Sequence, residues 1–272
     1  MTRRAFSLVE LLVVLAVVAL LLALLLPGLG AAVSRARALA CASSLKQLGV
    51  AWNLYAADFA DRALPCAYWE AKDIGLGPQV FWWGSHGTST EPPDFSRGFI
   101  APYFDAPLHE RSPLECPDQP WGSYLPQGPS QAPTSTYGYN GYFLSPAKTP
   151  GWGSGIAHRP WQRLADLARP SELLVFADAM LALDPQGLKV KNSALLDPPM
   201  LHSSGSGWTP NPFPNTAFRH ARGRRAAGEA AALLGDAAVR SLNARADWLV
   251  QPWIGSVGST PGPWHVPDWN LW

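Results

Sequence analysis

The sequence has little charge, and it lacks the short motifs that mark many enzyme active sites. Charged residues make up 15% of the 272 residues and the formal net charge is +1, which indicates neither nucleic-acid binding nor an acidic tail. The sequence contains no G-x-S-x-G, no H-E-x-x-H and no Gly-rich phosphate loop. Carboxylates close in sequence, such as Glu110 and Glu115 or Asp58 and Asp61, occur by chance in most chains. We therefore expect that the protein is not an enzyme.

Cysteine is also scarce. The three cysteines, Cys41, Cys66 and Cys116, show no C-x-x-C spacing, so the sequence does not predict a zinc site. One disulfide with one spare thiol would suit a domain outside the cytoplasm. The sequence also lacks a D-x-D-x-D-G run of the kind that binds calcium.

Proline, glycine and tryptophan are plentiful instead. The chain has 27 Pro, 24 Gly and 13 Trp. The Pro and Gly residues predict frequent turns and long irregular connections, and the tryptophans must be buried or presented to a partner. This composition favours a loop-rich β or α+β domain over a helical bundle.

The N-terminal segment is a long apolar run preceded by a single carboxylate. Sixteen apolar residues follow one another from Leu11 to Leu26, and Arg3 and Arg4 lie before them. A helix needs about 20 apolar residues to cross a bilayer, so this segment can span one if Glu10 lies near an interface. The two arginines favour a cytoplasmic N-terminus, with the rest of the chain outside the cytoplasm.

Three kinds of signal compete for this segment. A secretory signal would be cleaved at the small residues from Gly30 to Ala32. A lipoprotein signal would end at Cys41, but Arg35 and Arg37 separate that cysteine from the apolar run. The third kind of signal, described next, gives the Glu10 carboxylate a function. In the simpler interpretation the Glu10 side chain only extends to the membrane interface, where its charge is hydrated.

The segment "RRAFSLVELLVV" resembles the type IV prepilin signal of pilins and type II secretion pseudopilins. It has a short basic leader and a small residue, then Phe6, with Glu10 four residues further on. The resemblance implies that a prepilin peptidase cuts between Ala5 and Phe6 and that the new amine of Phe6 is N-methylated. It also implies that Glu10 pairs with the Phe6 amine of a neighbouring subunit, which offsets the cost of a carboxylate at membrane depth. The usual residue before the cut is Gly, and Ala5 departs from that pattern.

The residues after the apolar run continue as the stem of such a subunit. Pro27 should interrupt the helix where it leaves the bilayer, because proline removes a backbone hydrogen bond. Beyond Pro27 apolar residues recur at steps of three and four, which predicts an amphipathic helix that packs on the following domain. The predicted apolar stripe consists of Ala38, Cys41, Leu45, Leu48, Trp52, Tyr55 and Phe59.

The predicted fold is α+β, with the long N-terminal helix packed on a loop-rich antiparallel β-sheet domain. The predicted organisation is a leader (1–5), a transmembrane assembly helix (6–30), an amphipathic stem (31–62), an extracytoplasmic β-rich domain (63–245) and a tail (246–272).

Short apolar runs punctuated by Gly and Pro are the strand candidates in this domain. They cover residues 80–84, 98–104, 135–144, 172–179, 187–192 and 229–242. The last run predicts a hairpin or bulge around Gly235 and Asp236. Residues 194–217 are so rich in Pro and Gly that they predict a surface loop.

A second resemblance covers most of the chain. The fragments "CASSLKQLGVAWNLYAADFADR", "LECPDQP", "STYGYNGYFL" and "RPSELLVFADA" resemble a bacterial pseudopilin-like group with a C-terminal H-x9-D-G motif. That motif is degraded here, because fifteen residues separate His220 from Asp236 and Ala237 replaces the usual Gly. The group often has cysteine at the positions of Cys41 and Cys116, which implies a disulfide between stem and domain, with Cys66 and Cys116 as the alternative pair.

Candidate ligand sites are sparse. Asp178, Asp236 and His220 would meet if their strands are neighbours, and some pseudopilins bind calcium in a C-terminal loop. Turn-capping aspartates and a structural histidine are the simpler interpretation, so we expect no cofactor, with calcium as the one metal considered. The tail carries Trp248, Trp253, Trp264, Trp269 and Trp272. These rings would either stack on sugars or contact a partner, or fold back over an exposed sheet edge, which we favour.

The function expected from the resemblance is structural. The chain would be a subunit of a pilus-like or pseudopilus filament in a type II secretion or type IV pilus-like apparatus, with a role in protein secretion. Its partners would be a prepilin peptidase and other pilin-like subunits, with no nucleic acid. It would be a single-pass protein of the inner membrane whose domain faces the periplasm. The alternative is a membrane-anchored binding module for a polysaccharide or a secreted protein.

Overall fold

The computed structural model describes residues 8–68, 79–86, 93–104, 113–119, 135–149, 153–182, 190–220 and 228–272. One long helix leads into a region of several small antiparallel sheets. The α+β class predicted from the composition is therefore confirmed.

Helix α1 runs from Leu8–Asp58 without a break. Its first part, from Leu8 to Leu29, has apolar residues on every side of the helix. All the described side chains of this part are exposed. Within the described residues it is a helix long and apolar enough to cross a membrane. The interruption expected at Pro27 is wrong, because the helix continues through that position. The apolar turns on both sides remain helical although proline cannot donate its backbone hydrogen bond.

The second part of α1 is amphipathic and packs on the domain. Cys41, Leu45, Leu48 and Trp52 are fully buried, as their spacing predicts. Tyr55 is also buried, whereas Ala38 is only half-buried. Phe59 lies just beyond the helix end and is 51% exposed, so the predicted stripe is one turn too long at its C-terminal end.

The described residues contain thirteen strands, most of them short. In chain order they are β1 (Ala67–Tyr68), β2 (Gln79–Phe81), β3 (Ser85–His86), β4 (Tyr137–Tyr139), β5 (Leu174–Asp178), β6 (Met180–Ala182), β7 (Val190–Asn192), β8 (Met200–Ser203), β9 (Gly207–Pro210), β10 (Thr216–Ala217), β11 (Glu229–Leu234), β12 (Val239–Asn243) and β13 (Ile254–Gly255). Two short helices, α2 (Gly141–Leu144) and α3 (Gly153–Ile156), lie between β4 and β5.

The central sheet has four antiparallel strands in the order β12-β11-β5-β4. All five residues of β5 are buried, which matches its continuous apolar sequence. Helix α1 packs on β11 and β12, and Lys46 Nζ donates a hydrogen bond to the backbone oxygen of Ala237 at 2.9 Å in the turn between them. The stem is thus held against the hairpin that the sequence predicts.

One strand prediction was wrong, a second is confirmed only over three residues, and one predicted loop contains strands. Residues 98–104 form a 3₁₀-helix at Ala101–Tyr103, because Pro102 fits the first turn of a helix and cannot donate to a ladder. Residues 135–144 form only the short strand β4, after which Asn140 caps the helix α2. Residues 194–217, predicted as a loop, contain the hairpin β8–β9 and the strand β10. Gly207 has a φ of +66°, so a glycine that suggested irregular structure instead begins β9 after a tight turn.

The tail folds back on the domain, as favoured from the sequence. The backbone N–H of Leu174 donates to the oxygen of Trp264 at 2.7 Å, and Asn140 Nδ2 donates to the oxygen of His265 at 2.9 Å. Strand β13 pairs with β10. All five tail tryptophans are half-buried. The tail is therefore part of the domain's packing.

Acid should weaken the fold through His265. This side chain is fully buried, and neither ring nitrogen has a hydrogen-bond partner among the described residues. Burial lowers the pKa of His265 from 6.5 to about 3, so between these values the unfolded chain binds more protons than the folded one, and stability falls as the pH drops. We expect this one residue to cost on the order of 1–3 kcal/mol of unfolding free energy in acid.

The measurement is the melting temperature of wild type and His265→Leu as the pH falls from 6.5. The variant should lose less stability than wild type, and His158→Leu, at an exposed histidine, should behave as wild type. Burial raises the pKa of Asp197 to about 7, which opposes the trend equally in all three proteins. An identical acid dependence in His265→Leu and wild type would contradict the prediction.

Candidate functional site

Four buried side chains from distant parts of the sequence meet beneath the stem. They are Cys41, Cys116, Asp178 and His220, and each is at most 2% exposed. One donor atom from each, a sulfur, a sulfur, a carboxylate oxygen and a ring nitrogen, lies within 4.8 Å of all the others. We call these four residues the buried cluster.

The fold brings each member to this point through a different element. Cys41 lies on the buried stripe of α1, and Asp178 is the last residue of β5. Cys116 is held by a hydrogen bond from its backbone N–H to Thr136 Oγ1 at 2.7 Å. His220 exchanges two backbone hydrogen bonds with Glu229 at the start of β11, of 2.9 and 2.8 Å. Helix, loop, central strand and sheet margin therefore all contribute.

The contacts inside the buried cluster are close. His220 Nε2 lies 3.0 Å from Asp178 Oδ2 and 3.6 Å from Cys116 Sγ. Cys41 Sγ lies 3.6 Å from Asp178 Oδ1. All three cysteines of the chain are free thiols in this structure.

A second layer of polar groups surrounds the cluster. Asp118 Oδ2 accepts a hydrogen bond from His220 Nδ1 at 2.5 Å. Arg219 Nε lies 3.4 Å from Asp178 Oδ1. Tyr137, which is opposite Asp178 in the β4–β5 register, places its hydroxyl 3.1 Å from Cys41 Sγ. The backbone N–H of Ala231 donates to Asp178 Oδ2 at 2.8 Å. Cys41, Asp178 and His220 therefore each have a polar partner outside the cluster that orients the side chain.

The surroundings shift the pKa of each member. Burial raises the pKa of Cys41. Burial would also raise the pKa of Cys116, but its contacts with Cys41 and His220 and the charge of Arg219 lower it to about 7. For His220 the hydrogen bond and charge of Asp178 outweigh burial and raise the pKa to about 11. Burial likewise opposes ionisation of Asp178, but Arg219 and His220 keep its pKa below the ordinary value. Without a metal, the cluster thus holds a carboxylate and an imidazolium at neutral pH.

The structure brings together some of the predicted site residues and separates others. Asp178 and His220 meet, as predicted if their strands were neighbours. Asp236 does not join them, because it is exposed in the β11–β12 turn, where its Oδ1 accepts the N–H of Ala238 at 3.0 Å. Cys41 and Cys116 also meet, while Cys66 is not a member of the cluster. The Cys41–Cys116 disulfide remains a prediction.

Sequence reasoning missed Asp118, Arg219 and Tyr137 as partners of the site. A partial signal was available, because Asp118 and Tyr137 lie within "LECPDQP" and "STYGYNGYFL", which carry the second resemblance, and Arg219 directly precedes His220 of the degraded H-x9-D-G motif. These segments, with the stem and the fragment that contains Asp178, supply the four cluster residues and the polar side chains of the second layer, whereas the Ala231 N–H comes from β11. The second resemblance therefore includes the segments that meet at the cluster, although the sequence alone does not predict which of their residues contact one another.

A separate aromatic cleft lies at the far end of the stem. It has a volume of about 590 Å³ and is lined by Tyr55, Asp58, Phe59, Ala60, Arg62, Tyr68, Val80, Phe99 and Trp161. Tyr55 and Phe59 stack with ring centroids 4.3 Å apart. The cleft therefore combines aromatic rings with one carboxylate and one guanidinium.

Comparison with known proteins gives one match. Residues 1–26 match the family model of the prokaryotic N-terminal methylation motif. The match supports a type IV pilin-like subunit that a prepilin peptidase processes, and together with the apolar half of α1 it suggests attachment to a membrane. Ala5 and Phe6, the predicted processing residues, lie outside the described residues. No curated protein and no solved structure matches the chain.

Proposed function

We propose that the protein is a structural subunit of a pilus-like or pseudopilus filament, cut before Phe6, N-methylated there and assembled through its apolar helix. The observation that carries this proposal is the methylation motif at residues 1–26, whose residues from Leu8 onward form the apolar first part of helix α1. A motif for processing at the membrane and a helix for assembly fit one function, that of a polymerising subunit.

The two halves of α1 support the proposal. Residues Leu8 to Leu29 expose large apolar side chains, for example Leu8 at 78% and Leu24 at 72%. Such a surface is unstable in water and needs lipid or other apolar helices around it. The second half packs on the central sheet. A subunit of this shape sits in the membrane before assembly and surrounds its helix with those of its neighbours afterwards.

Glu10 supplies the register of assembly in this proposal. It is exposed in the first turn of α1, four residues from the amine that cleavage before Phe6 creates. A carboxylate at membrane depth costs about 2.5–3.5 kcal/mol, and the amine of a neighbouring subunit would offset that cost. Arg3 and Arg4 favour a cytoplasmic N-terminus by the positive-inside rule, which supports a domain on the outer side of the inner membrane.

Processing should improve when the usual residue is restored before the cut. Glycine has no Cβ, so Ala5→Gly removes one methyl group from a position where the peptidase expects none. We expect the variant to be processed faster than wild type when either is co-expressed with a prepilin peptidase, as measured by the mass of the chain. Gly28→Ala, at a position with open space around it, is the control and should leave processing unchanged. Equal rates for Ala5→Gly and wild type would show that Ala5 is no obstacle.

The second candidate function is an anchored binding module, and the aromatic cleft favours it. In this case the helix is only an anchor, and Phe59, Phe99 and Trp161 of the cleft stack on a polysaccharide or contact a secreted protein. The two functions differ in the effect of Trp161→Ala. Glycan binding by wild type that is lost in Trp161→Ala would support the module. No glycan binding by wild type, together with its incorporation into filaments, would support the filament subunit.

A further inference from the structure

We infer that the buried cluster of Cys41, Cys116, Asp178 and His220 is a structural zinc site that fastens the stem to the domain. This inference is independent of the filament proposal, because it concerns how the stem and domain are joined and not what the subunit joins. It also differs from the sequence prediction, in which the spacing of the cysteines spoke against zinc.

The donor set fits zinc and not calcium. Two sulfurs, one imidazole nitrogen and one carboxylate oxygen are ligands that Zn²⁺ takes in tetrahedral sites. Calcium requires six to eight oxygen ligands, and the cluster offers a single carboxylate. All four members are protein side chains in a buried place, which is typical of structural zinc sites and leaves no open position for a substrate.

The distances between donors also fit. With zinc–sulfur bonds of about 2.3 Å and zinc–nitrogen or zinc–oxygen bonds of about 2.0–2.1 Å, tetrahedral donors lie about 3.3–3.8 Å apart. All four donor atoms lie within 4.8 Å of one another. Cys116 Sγ is 3.6 Å from His220 Nε2, and Cys41 Sγ is 3.6 Å from Asp178 Oδ1 and 4.0 Å from Asp178 Oδ2. His220 Nε2 and Asp178 Oδ2 are 3.0 Å apart because they share a hydrogen bond, which a shared metal would replace.

The second layer has the composition that zinc sites use. Ligating histidines usually give their other ring nitrogen to a carboxylate, which fixes the ring and leaves one nitrogen for the metal. Asp118 holds His220 Nδ1 in this way, so Nε2 points into the cluster. Tyr137 is placed to donate to the Cys41 sulfur, and Arg219 contacts Asp178.

The charges also balance when zinc is bound. Two thiolates and one carboxylate exceed the charge of Zn²⁺ by a single negative charge, and the Arg219 guanidinium beside Asp178 neutralises it. The negative charge of Asp118 is balanced by the guanidinium of Arg37, whose Nη1 lies 3.9 Å from Asp118 Oδ1. Burying a charged group is tolerated only with such compensation.

An access route is present. A groove of about 460 Å³ runs between the stem and the β11–β12 hairpin and includes His220 in its wall, with Ser34, Arg35, Ala38, Leu39, Ala42, Glu229, Ala231, Val239, Arg240 and Ser241. Because the stem supplies Cys41 and the domain supplies the other three ligands, a bound metal would tie the two parts together across this groove.

The test is the metal content of the full chain, purified in detergent under reducing conditions, incubated with zinc and freed of excess. We expect about one zinc per chain. Cobalt added in place of zinc should give the visible absorption of tetrahedral Co²⁺ and the ultraviolet bands of a thiolate–cobalt bond. Cys116→Ser and His220→Gln should lose the metal, whereas Cys66→Ser, the matched control at a buried cysteine outside the cluster, should retain it.

A ligand variant could lose zinc only because it unfolds. The variant Asp118→Asn separates loss of zinc binding from loss of the fold. This change keeps the shape of a second-layer residue and should weaken zinc affinity by about 10–100-fold while the chain stays folded. A folded, fully reduced wild type that retains no zinc would overturn the inference. So would a Cys41–Cys116 disulfide in protein isolated without reductant, because a disulfide removes two of the four ligands.

Discussion

Replacing Glu10 by leucine will leave the chain in the membrane but exclude it from filaments. Leucine makes the apolar helix more hydrophobic, so insertion is unaffected. The variant lacks the carboxylate that would attract the Phe6 amine of a neighbouring subunit, and that amine would be left without its partner among packed apolar helices. We expect incorporation beside co-expressed wild-type subunits to fall to background, as measured by recovery of tagged variant in sheared or purified filaments.

Val14→Leu is the matched control for this experiment. Val14 lies one helical turn beyond Glu10 and is 50% exposed, so the change alters the same face of the helix without altering charge. This control should assemble as wild type. Normal incorporation of Glu10→Leu, with its N-terminus processed, would mean that Glu10 only reaches the membrane interface and does not direct assembly.

Removing the Asp178 carboxylate will destabilise the domain severely. Asp178 is fully buried, receives the N–H of Ala231 and faces both Arg219 and His220. Asp178→Ala leaves those cationic groups buried without their shared counterion, and breaking a buried pair in this way costs about 3–5 kcal/mol. We expect a loss of this size in the free energy of unfolding, measured by tryptophan fluorescence of the detergent-solubilised chain with a chelator present. The chelator ensures that the lost stability does not come from a bound metal.

Asp236→Ala is the control, because Asp236 was the other aspartate singled out in the sequence. It is exposed, and among the described residues its side chain makes one hydrogen bond, inside a turn, so the loss of the side chain should cost about 1 kcal/mol or less. Equal losses in the two variants would contradict the view that the buried charges around Asp178 hold the domain together.

Much of the fold could be predicted because its signals are local. The buried stripe from Cys41 to Tyr55 follows from apolar spacing alone, and β5 and the β11–β12 hairpin follow from apolar runs beside turn residues. The strand expected at residues 98–104 failed because Pro102 favours the first turn of a helix. The requirement for glycine at position 98 is tertiary, because a Cβ added there would lie 2.5 Å from the backbone nitrogen of Gly84.

The site could be predicted only in pieces. His220, Asp178, Cys41 and Cys116 were each singled out, but as a calcium candidate or a disulfide pair. They meet only through contacts between distant parts of the sequence. Cys116 and His220 are 104 positions apart, and Cys41 and Asp178 are 137 positions apart. No local pattern encodes such distances. The donor set that favours zinc became visible only once the stem was placed on the sheet.

The filament proposal depends most directly on one event, the cut before Phe6. The measurement that tests it is mass spectrometry of the N-terminal peptide from protein isolated from membranes of cells with an active prepilin peptidase. The proposal predicts a peptide that begins at Phe6 and carries one methyl group on its amine. A chain that begins after Gly30 would contradict it, because the apolar helix and Glu10 would then be missing from the mature protein.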